Sequence, residues 1–401
     1  MSNLEIYIHI PFCVKKCRYC DFLSFAADEE TKQKYVDALC LEISRSKEKY
    51  AEYDITTIYM GGGTPSALSC EQLCKIGASL KEVFKLKGLK AAKKIPLSRK
   101  RALEKNENMP DIEFSAEANP GTLSKEKLKA LRQMGVNRLS LGLQSSVNAE
   151  LKQLGRIHTY EDFTESFFAA REAGFNNINV DLLEAIPLQT LPSFKKTLAN
   201  VISLRPEHVS AYSLIIEEGT PFYEKMNSSF PLALPDEDEE REIYYAAGEL
   251  LSRAGYEQYE ISNYALPLKA CRHNTGYWRR ENYLGLGLGA SSMVENIRWK
   301  NTSDMEFYLE GCRQGADIRQ EIHKLSYKEQ MEEFMFLGLR MNTGISKTQF
   351  FETFKADFGF VYGETAAKLM EQGLLEEDEE RVYLTKRGVD VSSRVLAQFL
   401  L

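Results

Sequence analysis

Three cysteines crowd into eight residues near the start of the chain, in Cys13-Val-Lys-Lys-Cys17-Arg-Tyr-Cys20. The spacing C-x3-C-x2-C puts three thiolates on one tight loop. Such a loop binds three irons of a [4Fe–4S] cluster and leaves the fourth iron without a protein ligand. An open coordination position is what a chemical step at a metal requires. A structural zinc site would need a fourth Cys or His with its own regular spacing, and none follows nearby. In a long chain, crowded cysteines point to metal chemistry rather than to a disulfide framework. Of the others, Cys40 and Cys312 read as small buried hydrophobes. Cys70 and Cys74, four apart on a predicted helix, have no further ligands beside them.

Other residue types suited to chemistry are spread along the first half. Gly61-Gly62-Gly63-Thr64-Pro65 lets backbone approach a ligand closely, with N–H groups to hold a polar partner. Read alone, it is equally a turn. Glu117, Gln144 and Asp181 supply oxygens suited to ribose hydroxyls or an ammonium, and Arg156 suits a carboxylate. Without context, strand-end capping is the favoured reading of Gln144 and Asp181.

These residues need elements to bring them together. Residues 4–10 alternate, are rich in β-formers and end at Pro11, which predicts a strand followed by a loop. Further strands are predicted at 54–60, 111–117, 137–143, 177–183 and 207–213. Helical periodicity fills 31–50, 69–86, 124–134, 160–173, 191–203 and 237–254. Six βα units in sequence predict a parallel sheet, curved into an open barrel or laid flat. In either form function belongs at the C-terminal ends of the strands, where the cysteines, the glycine run, Glu117, Gln144 and Asp181 fall. The basic segment 85–109 interrupts the rhythm and reads as a solvated insertion rather than a docking site for an anionic partner. From about residue 301 the texture changes. Helices near 304–314, 327–340, 347–356 and 363–372 lead into a two-stranded hairpin, which predicts a mainly helical, winged-helix-like unit over 301–401. Its wing carries Glu376, Glu377, Asp378, Glu379 and Glu380, which would repel phosphates.

With 401 residues, 43% apolar and 27% charged, the chain has the composition of a soluble globular protein with one large and one small domain. A net charge of −7 disfavours general nucleic-acid binding. No apolar run is long enough to span a bilayer and no export signal opens the sequence, so a cytoplasmic protein is expected.

The run YIHIPFCVKKCRYCDF resembles the radical S-adenosylmethionine (SAM) family related to oxygen-independent coproporphyrinogen III oxidase, and the resemblance extends over at least residues 4–300. It implies an open parallel (βα)6 partial TIM-type barrel over 1–300. It also implies a [4Fe–4S] cluster on Cys13, Cys17 and Cys20, with SAM chelating the free iron by its amino and carboxylate groups. Electron transfer then cleaves SAM to methionine and a 5′-deoxyadenosyl radical. The resemblance places Tyr7 and Phe12 beside the cluster and SAM, and GGGTP (Gly62, Gly63, Thr64) and Glu117 toward the SAM amino group. Gln144, Arg156 and Asp181 would surround the nucleoside. A reductant of the flavodoxin or ferredoxin type follows as a partner. One departure is local: DLLEAIPLQT stands where relatives have something like DLIYGLPGQT, without its glycines and tyrosine.

Two features separate subgroups of this family. The oxidase subgroup has a fourth cysteine two residues after the third, and this chain has Phe22 there. His273-Asn274-Thr275-Gly276-Tyr277-Trp278 matches HNxxYW, the signature of the heme-chaperone subgroup. Imidazole is a sound axial ligand for heme iron, and Tyr277 and Trp278 supply flat apolar surface for the macrocycle. Ser291 stands where family members often carry a histidine. The resemblance thus implies a heme chaperone, with SAM cleavage still possible, which binds heme and passes it to apo-hemoproteins. The alternative is the oxidase, which converts coproporphyrinogen III to protoporphyrinogen IX.

Overall fold

The computed structural model describes residues 2–86 and 111–401. From residue 87 onward, the expectation for the basic insertion lies outside the described residues. All six expected strands are present: β1 (Asn3–Ile10), β2 (Asp54–Gly62), β3 (Glu113–Ala118), β4 (Arg138–Gln144), β5 (Ile178–Glu184) and β6 (His208–Ser213). They pair in parallel in chain order. The helices that return the chain to each new strand are α1 (Glu29–Tyr50), α2 (Cys70–Val83), α3 (Lys125–Met134), the short α4 (Asn148–Gln153), α5 (Tyr160–Glu172) and α6 (Leu191–Leu204). Most begin on a side-chain cap. Asp28, Ser69, Ser124, Thr159 and Thr190 each accept an N–H of the first turn, which fixes where helix starts and where the preceding loop must end. Short α7 (Pro221–Met226) and long α8 (Glu237–Arg253) follow.

Beyond α8 the chain departs from the βα rhythm. Strands β7 (Glu257–Glu260) and β8 (Asn263–Ala265) add antiparallel beside β6. After α9 (Arg272–Trp278), β9 (Tyr283–Leu286) returns to pair in parallel with β1. Strands β10 (Ser291–Val294), β11 (Ile297–Asn301) and β12 (Arg319–Lys324) extend that side antiparallel, with α10 (Met305–Gln314) between the last two. The result is a twelve-stranded sheet in the order β12-β11-β10-β9-β1-β2-β3-β4-β5-β6-β8-β7. Its outer strands are different strands, so the sheet stays open, and β1 is internal.

One apolar core runs along this sheet and includes Tyr308, Cys312 and Ile318. A second gathers Met335, Phe350, Phe354, Tyr362 and Val382, with Met331 and Phe334 against it. It joins α11 (Tyr327–Gly338), α12 (Lys347–Phe354) and α13 (Phe358–Glu371) to a small antiparallel sheet of β13 (Ile345–Ser346), β14 (Leu375–Glu377) and β15 (Arg381–Leu384). This is the winged-helix-like unit. The change of texture near residue 301 precedes the division of the cores, because α10 packs on α1 and β12 completes the large sheet. Exposed β12, with no buried residue in its six, gives no apolar alternation for sequence to read.

Candidate cluster and cofactor site

The cysteine loop leaves β1 and is tied down at several points. Cys13 donates its N–H to the Phe25 carbonyl, Arg18 to that of Leu154, and Phe222 donates to that of Arg18. The Lys16 ammonium reaches the Phe22 carbonyl at 2.9 Å. All three cysteines are partly exposed thiols. Thr64 Oγ1 lies 3.4 Å from Cys13 Sγ, and Arg156 Nη1 donates to Cys17 Sγ at 3.4 Å. A hydroxyl and a guanidinium thus stand beside two of the three sulfurs, and thiolate is the form in which cysteine ligates metal. Among the described residues no three His, Cys, Asp or Glu side chains converge as on a single ion. A cubane asks for no such convergence, since each thiolate takes its own corner iron. The loop therefore suits a cluster.

Around it the strand ends form one connected set. Arg156 also donates to Asn119 Oδ1 at 2.7 Å and to the Gly142 carbonyl at 2.6 Å, and Asn119 donates to Thr64 Oγ1 at 2.7 Å. Thr64, Asn119 and Arg156 thus bridge Cys13 to Cys17. Asn119 was not singled out from sequence; its place in EANPG, two residues past Glu117 at a strand end, was the available signal. Glu117 accepts from the Tyr59 hydroxyl at 2.9 Å and from Gly62 N–H at 3.1 Å. Burial, with Asp181 adding to it, pushes its carboxyl up to about 7. Asp181 accepts from Ser140 Oγ and Asn179 Nδ2 at 2.9 and 2.7 Å, and burial raises it too. Gln144 sits at a bulge ending β4, with φ of 75°, a conformation rarely adopted by a side-chain-bearing residue.

The glycine run differs from expectation. A Cβ on Gly61 would come within 2.7 Å of the Glu117 carboxylate, one on Gly62 within 2.3 Å of the His9 ring, and one on Gly63 within 2.7 Å of the Ile10 carbonyl. The glycines are required by the protein's own neighbours. The N–H groups of Gly62, Gly63 and Thr64 are already bonded to Glu117, Ile10 and Phe12. A carboxylate ligand therefore has none of these three donors. The Glu117 carboxyl beside them suits an ammonium. Tyr7 lies at the rim, bonded to His9 Nδ1 at 3.0 Å and stacked 6.4 Å from Tyr59. Phe12 is wholly buried, edge-on to Tyr35 and Phe25, so its ring packs the core and only its backbone reaches the loop.

His273 also differs. Its imidazole is 1% exposed, with Nδ1 2.6 Å from Thr57 Oγ1 and Nε2 2.9 Å from Tyr277 Oη. It stacks 5.2 Å from Tyr59, and burial lowers its pKa to about 3. Both ring nitrogens are engaged, so the ring as placed offers none to an iron; what it does is fix Tyr277. Asn274 is half-buried on α9. Tyr277 and Trp278 line a cleft of about 390 Å3, with Tyr7, Tyr283, Met293 and Leu337. The partner that occupies the His273 imidazole, Thr57 on β2, is 216 residues away and carries no local signal.

No helix among the described residues is long and apolar enough to cross a membrane. The radical SAM superfamily profile matches residues 7–201 and the HemN C-terminal domain profile residues 325–391. The latter agrees with the start of the second core. The heme chaperone HemW of Lactococcus lactis is 37% identical over 98% of this chain and 97% of its own. HemW of Bacillus subtilis is 37% identical over 98% of both. Among solved structures, Escherichia coli coproporphyrinogen III oxidase HemN, described as a radical SAM enzyme, matches with a TM-score of 0.81 over 100% of this chain and 90% of that one. At 22% identity that likeness establishes the fold. Radical SAM membership implies a [4Fe–4S] cluster and SAM as cofactors. Matched end to end by these relatives, the chain belongs to the radical SAM superfamily and, within it, to the HemW family.

Proposed function

We propose that this protein is a heme chaperone of the cytoplasm: it binds heme and hands it to apo-hemoproteins, with a [4Fe–4S] cluster and SAM held at the strand ends. The observation that carries this reading is the 37% identity over nearly the full length of chains named as heme chaperones. Phe22, in place of the further cysteine of the oxidase subgroup, and the HNTGYW segment support it. In this reading Cys13, Cys17 and Cys20 hold the cluster. Glu117 receives the SAM ammonium, while Gln144, Arg156 and Asp181 border the nucleoside. Tyr277 and Trp278 offer surface to the macrocycle, and His273 is a positioning residue that holds Tyr277. When bound, cluster and SAM together supply one-electron chemistry, for which a flavodoxin- or ferredoxin-type protein would be the reductant.

The test is anaerobic reconstitution followed by parallel assays. About four irons per chain should be retained, as three-thiolate ligation of a cubane implies, and Cys17→Ala should lose them while the fold persists. Added heme should give a shifted Soret band. Incubation with coproporphyrinogen III, SAM and a reductant should yield no protoporphyrinogen; steady production without heme binding would replace this reading by the oxidase.

A further inference from the structure

The cleft beside Trp278 has a polar end that the proposed function does not use. Arg280, one residue past the C-cap of α9, is held at φ 57°, in the left-handed region, and its guanidinium is nearly buried. Arg298 reaches in from β11. Both meet a single carboxylate: Arg280 Nε lies 3.0 Å from Glu333 Oε2, and Arg298 Nη2 lies 2.9 Å from Glu333 Oε1. Each carboxylate oxygen takes one guanidinium. Arg280 also donates to Asn296 Oδ1 at 3.1 Å, in a hairpin turn whose Glu295 and Asn296 both have positive φ. Backbone strain at three residues thus accompanies the placing of one guanidinium.

Glu333 belongs to the other unit. It lies on α11, between Met331 and Phe334, which pack on the second core. Two cations from the large unit therefore close on one anion from the small one, at the mouth of a cleft walled by Tyr277, Trp278 and Tyr283. Within that wall Trp278 Nε1 is buried with no hydrogen-bond partner, and so is Arg298 Nε. Unsatisfied donors against flat apolar surface, next to a doubly held carboxylate, describe a site for a planar ligand with carboxylate arms.

We propose that Arg280 and Arg298 are the carboxylate-binding pair of this cleft, that Glu333 fills their carboxylate position in this structure, and that a flat apolar ligand bearing carboxylates displaces Glu333 and loosens α11 from α9. The ligand's identity as an iron porphyrin, and with it the test, rests on the heme reading above. Glu333 is an intramolecular competitor, so the apparent affinity of the ligand is reduced by the fraction of time the ion pairs are closed. The swap exchanges one carboxylate for another at the same guanidiniums, and the second arm of a dicarboxylate meets a pair that carries one excess positive charge.

The test uses anaerobically reconstituted protein, titrated by Soret absorbance with hemin and with hemin dimethyl ester, whose carboxylates are masked. Wild type, Glu333→Gln and Arg298→Gln are compared. Hemin should bind about tenfold tighter to Glu333→Gln and about tenfold weaker to Arg298→Gln, as expected for one charge-assisted hydrogen bond. The ester should bind all three alike. Amide exchange along α11 should quicken when hemin is added and not when the ester is. If hemin binds but acid and ester titrate alike in all three proteins, the carboxylate pair is refuted and the heme reading survives. If no protein shifts the Soret band of hemin, the heme reading fails and takes the proposal with it. Should Glu333→Gln not fold, the contrast of acid with ester in wild type and in Arg298→Gln decides.

Discussion

At the scale of single residues, the site is held by side chains that bond to one another across strands far apart in sequence. His273 shows the cost of removing one. Its ring bridges Thr57 and Tyr277, so His273→Ala takes a hydrogen-bond partner from each hydroxyl and leaves a void between them. We expect a loss of about 2–4 kcal/mol in urea denaturation. His273→Gln, which can bond at one end, should recover part of it. Heme affinity should follow the order of Tyr277 immobilisation rather than vanish; a variant of unchanged stability that loses all heme would instead make His273 a direct ligand. Gly62 makes the same point from the opposite direction. With φ of 101° and the His9 ring where a Cβ would stand, Gly62→Ala is strained twice over. It should push His9 out of place and shift the N–H that Glu117 accepts, so the perturbation of the cluster's EPR signal by SAM should be lost while iron content is kept. An unaltered SAM response in that variant would show that the glycine run plays no part in the site.

At the scale of elements, the six βα units were legible because each strand is a short apolar run and each helix opens on a capping residue. What was not legible was long-range: the return of β9 to β1, and the antiparallel flanks, whose strands are short or carry no buried face. The cysteine loop was readable because its chemistry is set by local spacing. The occupancy of the His273 nitrogens was not, since Thr57 comes from another strand. The loop after β5 shows what the sequence departure does in three dimensions. Ala185 and Leu188, which stand where the family resemblance implies glycine, have φ of 56° and 70°. Left-handed backbone costs a side-chain-bearing residue about 1 kcal/mol relative to glycine. Ala185→Gly and Leu188→Gly should therefore each raise stability by up to about 1 kcal/mol, measured by urea midpoint, with cluster content unchanged. A loss of stability in both would mean that the greater freedom of the glycine-bearing unfolded chain outweighs the relief of strain.

At the scale of the whole molecule, the sheet encloses more ionisable groups than it pairs. Burial pushes Glu5, Glu117 and Glu184 up to about 9, 7 and 8. In the fold these three hold protons that the unfolded chain releases near the ordinary value of 4.5. Between 4.5 and their folded values the native state binds more protons, so stability is fully present below 4.5 and is lost as pH rises through 7, 8 and 9. His273 acts in the opposite direction. Its pKa of about 3 lies below the ordinary 6.5, so its contribution is present above 6.5 and is lost as pH falls toward 3. From 4.5 to 6.5 the three carboxyls outweigh the one imidazole, so these groups together place maximum stability near pH 4.5. Urea midpoints measured from pH 4 to 9 should peak there and decline toward pH 9. Each carboxyl wholly protonated in one state and ionised in the other adds a slope of at most about 1.4 kcal/mol per pH unit. Glu184→Gln removes one such group without changing its volume, so the decline between pH 5 and 8 should flatten while the acid side keeps its slope. A wild-type midpoint that rises steadily from pH 5 to 9 would mean that these carboxyls are ionised and solvated in the fold, and that the interior of the open sheet admits water to them.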